Sequence, residues 1–134
     1  MRASRRGTLA PLLIAALAAA TAHAGHGTAG PLPVVPAPAL KAELDAGRPP
    51  HLVDLRPAEA YRQGRLPGAR SIPIRELRRR HVELPRGRLV LYCDCPREEL
   101  EAAYRFLVDR GAERVDALEE GFAGWTKRGY PVER

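Results

Sequence analysis

Apolar residues occur along this chain in short runs that are separated by segments of helical periodicity. Residues 51–55 and 89–92 are compact apolar runs with the length and composition of buried strands. Two further short strands are predicted near residues 71–72 and at 114–118. The pattern therefore predicts four strands, of which 89–92 is the clearest.

Between these runs, apolar positions recur three and four residues apart, as on one buried face of a helix. The longest such segment begins near Glu98 and ends at Gly111, with acidic residues in its first turn, as the helix dipole favours. Helices are predicted at residues 40–44, 58–61, 74–82, 98–110 and 121–128. Strands that alternate with helices predict the α/β class, with a mostly parallel sheet and helices on both of its faces. Sites in such sheets form beyond the carboxyl ends of the strands.

The amino-terminal stretch has the composition of a targeting segment. Three arginines precede an apolar run at residues 9–20, and small residues lead up to Ala24. We therefore predict a signal peptide at residues 1–24 that is cleaved after Ala24, which implies a periplasmic or secreted protein. The run is shorter than the ~20 residues of a spanning helix, so no membrane association is expected after cleavage.

Residues 25–37 are rich in glycine and proline and are predicted to be a flexible linker, followed by one domain at residues 38–134. Leu32, Val34 and Val35 could nevertheless add an edge strand to that domain. The formal charge is +6, and +3 remains once the three leader arginines are removed. Because basic and acidic residues are mixed along the chain, no nucleic-acid partner is expected.

The chemistry of the chain is concentrated in its two cysteines. Cys93 and Cys95 are separated only by Asp94, so a disulfide between them would constrain almost none of the unfolded chain. This spacing favours reactive thiols over a structural bridge. Cys93 also lies between a predicted strand and a predicted helix, where unpaired backbone N–H groups favour a nucleophilic thiolate and bind anions.

Four segments in order along the chain resemble the rhodanese homology domain over residues 38–133. Residues 52–56 and 59–61 are similar to that family's first strand, its Asp-x-Arg motif and the turn that follows. Residues 61–73 resemble its proline- and glycine-containing passage between two strands. Tyr92 and Cys93 resemble the strand end that carries the family's nucleophile, and residues 121–125 and 129–132 resemble its closing motif.

This resemblance implies a sulfurtransferase that works by a ping-pong route. Cys93 would take sulfur from a donor such as thiosulfate or a persulfide, hold it as a persulfide, and pass it to a thiol acceptor or a protein partner. The resemblance implies no cofactor and no metal. It assigns Arg56 to the organisation of the active-site loop and Asp54 to structural support.

The loop departs from the pattern of many active relatives, in which an arginine stands five residues after the nucleophile. Here the loop consists of Asp94, Cys95, Pro96, Arg97 and Glu98, and Glu98 takes the place of that arginine. Pro96 removes one amide donor, and Asp94 and Glu98 bring negative charge toward an anion site. Arg97 could compensate for them, and Arg65 stands where the family usually has histidine. Thiosulfate turnover is therefore expected to be slow.

The cysteine pair followed by proline resembles a subgroup of small bacterial rhodanese-like domains, which favours a functional variant. Two alternatives remain open. Cys93 and Cys95 could serve as a thiol redox pair that cycles through a disulfide. The domain could also be a non-catalytic binding module for a soft ion such as Cu(I), with His26 near the new amino terminus.

Overall fold

The computed structural model describes residues 29–134. The predicted signal peptide, its cut after Ala24, and the first part of the predicted linker lie outside the described residues. Within residues 29–134, no helix has both the length and the hydropathy needed to cross a membrane.

The described part of the chain folds into one α/β domain around a five-stranded sheet. The strands are β1 (Val34–Val35), β2 (His51–Asp54), β3 (Arg70–Ser71), β4 (Arg88–Tyr92) and β5 (Arg114–Leu118). They are arranged in the order β1-β5-β4-β2-β3, and every pair of neighbours in this sheet is parallel. The predicted parallel α/β architecture is confirmed.

Five helices accompany the strands; the first four connect successive strands, and the fifth follows β5. They are α1 (Ala37–Asp45), α2 (Ala58–Gln63), α3 (Leu77–Arg80), α4 (Arg97–Asp109) and α5 (Gly121–Lys127). The single helix predicted at 74–82 is instead α3 flanked by the 3-10 turns Ile74–Glu76 and His81–Glu83. At the start of this segment, the Ile74 N–H donates to the Leu55 carbonyl, which ties the turn to the end of β2.

Successive residues of the central strands point to opposite faces of the sheet, and both faces are covered by helices. In β4, Leu89 and Leu91 belong to one cluster of buried side chains, which also contains residues of α4. Val90 and Tyr92 belong to a second cluster on the opposite face. Trp125 of α5 is completely buried in the second cluster. The core thus holds β4 between two helical layers.

The domain begins earlier than residue 38, so the predicted boundary of the flexible linker is wrong. Val34 and Val35 pair with the end of β5 and form the edge strand that the sequence allows. Leu32 and Val35 are each only 6% exposed. Their apolar side chains are buried in the core, which offsets the entropy of ordering this glycine- and proline-rich stretch.

Candidate active site

The carboxyl ends of β2, β4 and β5 meet at one edge of the sheet, with β4 between the other two. Cys93 follows β4 directly and α4 begins four residues later. Asp54 ends β2 and lies opposite Tyr92 in the register of the two strands. The parallel topology therefore brings the cysteine loop next to the Asp54–Arg56 segment.

Asp54 and Arg56 form a buried ion pair beneath this edge. Arg56 donates from Nε to Asp54 Oδ1 at 2.9 Å and from Nη2 to Oδ2 at 2.6 Å, and its backbone N–H donates to the same carboxylate at 3.0 Å. A further bond from Nη2 reaches the Gly64 carbonyl at 2.7 Å. Burial lowers the pKa of Arg56, but the hydrogen bonds and charge of Asp54 outweigh it and raise the pKa above its ordinary value.

The guanidinium of Arg56 also lies over the ring of Phe122, 3.7 Å from the ring centroid. Bound on one side by Asp54 and packed on the other against an aromatic ring, it supports the walls of the site. Tyr92 lies close by, and its buried hydroxyl accepts a hydrogen bond from the Leu66 N–H. Burial is the main cause that raises the pKa of Tyr92 far above its ordinary value, so this residue stays neutral.

Cys93 and Cys95 are joined by a disulfide, and their Cα atoms are 5.2 Å apart. Both residues are partly exposed. No group within residues 29–134 donates a hydrogen bond to the Cys93 sulfur, which differs from the expected arrangement in which the loop amides surround it. In this structure the sulfur is bonded to its neighbour instead.

The amides of the cysteine loop are nevertheless available. The Pro96 carbonyl accepts from the amides of Glu99 and Leu100 at the start of α4. Four earlier amides have no acceptor within the described residues, namely those of Asp94, Cys95, Arg97 and Glu98. These donors and the amino end of α4 give the loop the character of an anion site.

Asp94 connects the cysteine loop to α5. Its Oδ1 accepts a hydrogen bond from the Ala123 N–H at 3.1 Å. Gly121 has a φ of +64°, and a Cβ at this position would lie 2.6 Å from the Cys93 carbonyl oxygen. Glycine is therefore required here by its backbone conformation and by the close approach of the Cys93 peptide. The turn before α5 thus forms part of the wall behind the cysteines.

Two depressions adjoin the cysteine pair, and both are lined by Cys93, Asp94 and Cys95. The larger, which we call the donor pocket, has a volume of about 610 Å³ and lies between the cysteine loop, the segment after β2 and the turn after β3. Its apolar lining includes Leu55, Pro57 and Ile74. The smaller, which we call the rear pocket, has a volume of about 480 Å³ and is lined by Leu32, Val34 and Ala123, among others. Both depressions therefore give access to the disulfide.

Charged residues are distributed unevenly around the donor pocket. Arg75 lines it, is exposed, and forms no ion pair with any described residue. Arg97 lines the rear pocket instead and donates from Nε to Glu101 at 2.9 Å. Glu98 lines neither depression, whereas Glu99 lines the donor pocket.

Three residues of this site were not predicted from the sequence, namely Arg75, Glu99 and Gly121. Arg75 follows β3. Because the strands are parallel, the carboxyl ends of β3 and β4 lie at the same edge of the sheet, and this topology could have indicated that Arg75 lies near Cys93. Among residues 29–134, no three side chains of the ligating types are close enough to hold a metal ion together.

A family model described as the rhodanese-like domain matches residues 36–128. A protein named sulfurtransferase from Allochromatium vinosum is 32% identical over 82 residues, which cover 60% of this chain and 76% of that protein. An HTH-type transcriptional regulator of Mycobacterium tuberculosis is 42% identical over 84 residues, which cover 61% of this chain but only 37% of the regulator. Among solved structures, the Alr3790 protein of Anabaena superposes with a TM-score of 0.66 at 30% identity, covering 74% of this chain and 81% of that one.

Proposed function

Since this chain belongs to the rhodanese-like domain family, we propose that it is a sulfurtransferase whose Cys93 carries sulfur as a persulfide. The observation that carries the proposal is the position of Cys93, at the carboxyl end of the central strand and four residues before α4, facing an open pocket. The likeness to a protein named sulfurtransferase adds support.

Arg75 and the free amides of the cysteine loop favour a small anionic donor of sulfane sulfur, such as thiosulfate. Arg75 supplies a cation that no described carboxylate neutralises, and the amides of residues 94, 95, 97 and 98 are free to donate to an anion. Arg56 is already bonded to Asp54 and does not bind the donor. Three carboxylates line the same pocket and oppose anion binding, those of Glu76, Asp94 and Glu99, which supports a slow reaction with thiosulfate.

The reaction consists of two displacements at sulfur. In the first, the Cys93 thiolate attacks the outer sulfur of thiosulfate, the bond between the two sulfur atoms breaks, and sulfite leaves with the bonding electron pair. In the second, a thiolate or cyanide acceptor attacks the outer sulfur of the persulfide and restores the Cys93 thiolate. The first step requires the reduced loop, because a cysteine in a disulfide has no thiolate to react.

We further propose that the domain acts outside the cytoplasm, on the basis of the arginines and the apolar run before Ala24. An oxidising compartment keeps exposed cysteine pairs as disulfides unless a dedicated reductant acts on them. The mass of the protein purified from the periplasm, compared with that of the full sequence, tests this part of the proposal.

The proposed activity is tested by treating the reduced protein with thiosulfate and measuring intact mass and sulfite. In the Cys95→Ser variant we expect a protein that is heavier by one sulfur atom, and cyanide should remove this sulfur as thiocyanate. The Cys93→Ser variant should form no such species. If neither sulfite nor the added sulfur forms with any sulfane donor, the domain is not a sulfurtransferase. Tight binding of Cu(I) by the reduced protein that is lost in both variants would then favour the binding module.

A further inference from the structure

The cysteine loop places a second thiol where it can react with the first. Cys95 lines the same donor pocket as Cys93, and the Cα separation of 5.2 Å lies within the usual range of disulfide-bonded residues. The two residues are bonded to each other in a domain whose sheet is fully paired. The loop therefore accommodates a bond between these two sulfur atoms within this fold.

The contacts around the loop hold its backbone for this bond. Asp94, the residue between the cysteines, is anchored by its hydrogen bond from the Ala123 amide, and the Cys93 carbonyl lies against Gly121. Pro96, directly after Cys95, restricts the backbone further. A nearby and restrained thiol reacts at a much higher effective concentration than a thiol in solution.

From this geometry, and resting on the proposed persulfide at Cys93, we propose that Cys95 resolves that persulfide and that the domain releases hydrogen sulfide. The domain is then a sulfane reductase as well as a sulfur carrier. A dithiol reductant regenerates it.

The chemical step conserves atoms and electrons. The Cys95 sulfur attacks the Cys93 sulfur, a disulfide forms between them, and the bond from Cys93 to the outer sulfur breaks. The outer sulfur leaves with the bonding pair and takes the proton of the Cys95 thiol, so the product is HS⁻. The sulfane sulfur is reduced by two electrons, and the two cysteines are oxidised by two.

The second half of the cycle requires a dithiol. One of its thiolates attacks the Cys93–Cys95 disulfide and the other completes the exchange, so the dithiol becomes a disulfide and two protons go to the cysteines. The rear pocket, which is also lined by both cysteines, gives such a reductant a second approach to the sulfur pair. Its exposed Val34 provides an apolar surface at that approach.

The decisive experiment is a single turnover without added thiol. The full chain is reduced, freed of reductant, and mixed with excess thiosulfate, after which sulfite, sulfide and free thiols are each measured. We expect the wild type to release sulfide and sulfite in equal amounts and to lose both free thiols. The Cys95→Ser variant should release sulfite alone and keep a sulfur that cyanide removes, and Cys93→Ser should release neither product.

The outcomes separate this inference from the function on which it rests. If the wild type releases sulfite and retains a cyanide-labile sulfur with no sulfide, Cys95 does not resolve the persulfide, although Cys93 is a sulfur carrier. If no sulfite appears and no other sulfane donor adds a sulfur to Cys93 in the Cys95→Ser variant, the sulfurtransferase proposal itself fails. Cys95→Ala is a second variant that lacks the same thiol. Circular dichroism and sulfite release show whether either substitution at Cys95 disturbs the fold.

Discussion

At the scale of single residues, the arginines of this site have different roles that their charge alone does not reveal. Arg56 is buried and each of its contacts lies within the domain: the Asp54 carboxylate, the Gly64 carbonyl and the Phe122 ring. Arg75 is exposed and has no partner among the described residues. The first arginine therefore stabilises the site, and the second is free to bind a substrate anion.

Removal of the Arg56 side chain should destabilise the protein strongly. Arg56→Ala leaves the Asp54 carboxylate buried without a partner, and such losses lower the free energy of unfolding by about 3–5 kcal/mol. Arg56→Lys should recover only part of this, because lysine cannot form the two parallel bonds to Asp54. Urea denaturation measures the free energy of unfolding of both variants. As a control, Arg62→Ala breaks an exposed ion pair with Glu59 and should change stability by less than about 1 kcal/mol; equal losses in both variants would contradict this role of Arg56.

Substitution of Arg75 should weaken donor binding and leave the fold intact. Loss of one exposed cation near an anion changes the interaction by about 1 kcal/mol, so Arg75→Ala should raise the KM for thiosulfate roughly fivefold with a similar kcat. Steady-state kinetics at low and high salt measure this, since added salt should reduce the difference. Arg97→Ala is the matched control, because Arg97 is paired with Glu101 and lies on the rear pocket. If Arg97→Ala raises the KM for thiosulfate more than Arg75→Ala does, thiosulfate binds in the rear pocket and not in the donor pocket.

At the scale of elements, the site is held by the contact between the β4–α4 loop and the turn that begins α5. Gly121→Ala should disturb both stability and persulfide formation, because a Cβ there would clash with the Cys93 carbonyl as well as strain the backbone. We expect a loss of about 1–3 kcal/mol in the free energy of unfolding, together with slower sulfite release from thiosulfate.

Gly111 provides a control for this prediction. It has a φ of +85°, but a Cβ added at this position would meet no neighbouring atom within 4 Å, so Gly111→Ala reports the cost of backbone strain alone. We expect it to lower stability and leave the rate of sulfite release unchanged. If both variants react with thiosulfate at the wild-type rate, the turn before α5 does not position the nucleophile.

The same elements show what the sequence can predict. The strands at 51–55, 89–92 and 114–118 agree with the structure within about one residue, because buried parallel strands have short and strongly apolar sequences. The order of motifs also predicts the position of Cys93. The bond from Ala123 to Asp94 and the approach of Arg75 to the cysteines join residues that are distant in sequence. Local patterns carry no information on such contacts, and they also place the start of the domain too late.

At the scale of the whole molecule, polar contacts tie the carboxyl-terminal segment and the start of α1 to other parts of the domain. Residues Arg65 and Glu133 form an antiparallel bridge, and the Trp125 ring nitrogen donates to the Pro131 carbonyl at 2.8 Å. At the other end, Glu120 accepts a hydrogen bond from the Ala37 N–H at 2.9 Å, where α1 begins. Glu120 thus connects the edge strand and α1 to the turn that precedes α5 and that supports the cysteine loop.

This connection should make stability depend on pH. Burial raises the pKa of Glu120, but the Ala37 amide and the Arg128 guanidinium outweigh it and hold the pKa below the ordinary value of 4.5. Ionised Glu120 therefore stabilises the folded protein fully above that value, and the contribution is lost as the pH falls through the lowered pKa.

Glu120→Gln should lower the free energy of unfolding by about 1 kcal/mol at neutral pH, and the difference from wild type should shrink below about pH 4. Glu119→Gln removes the same charge from an exposed neighbour and controls for net charge. A deficit for Glu120→Gln that is equal at neutral and acidic pH in urea titrations would show that the carboxylate does not hold α1 to the site.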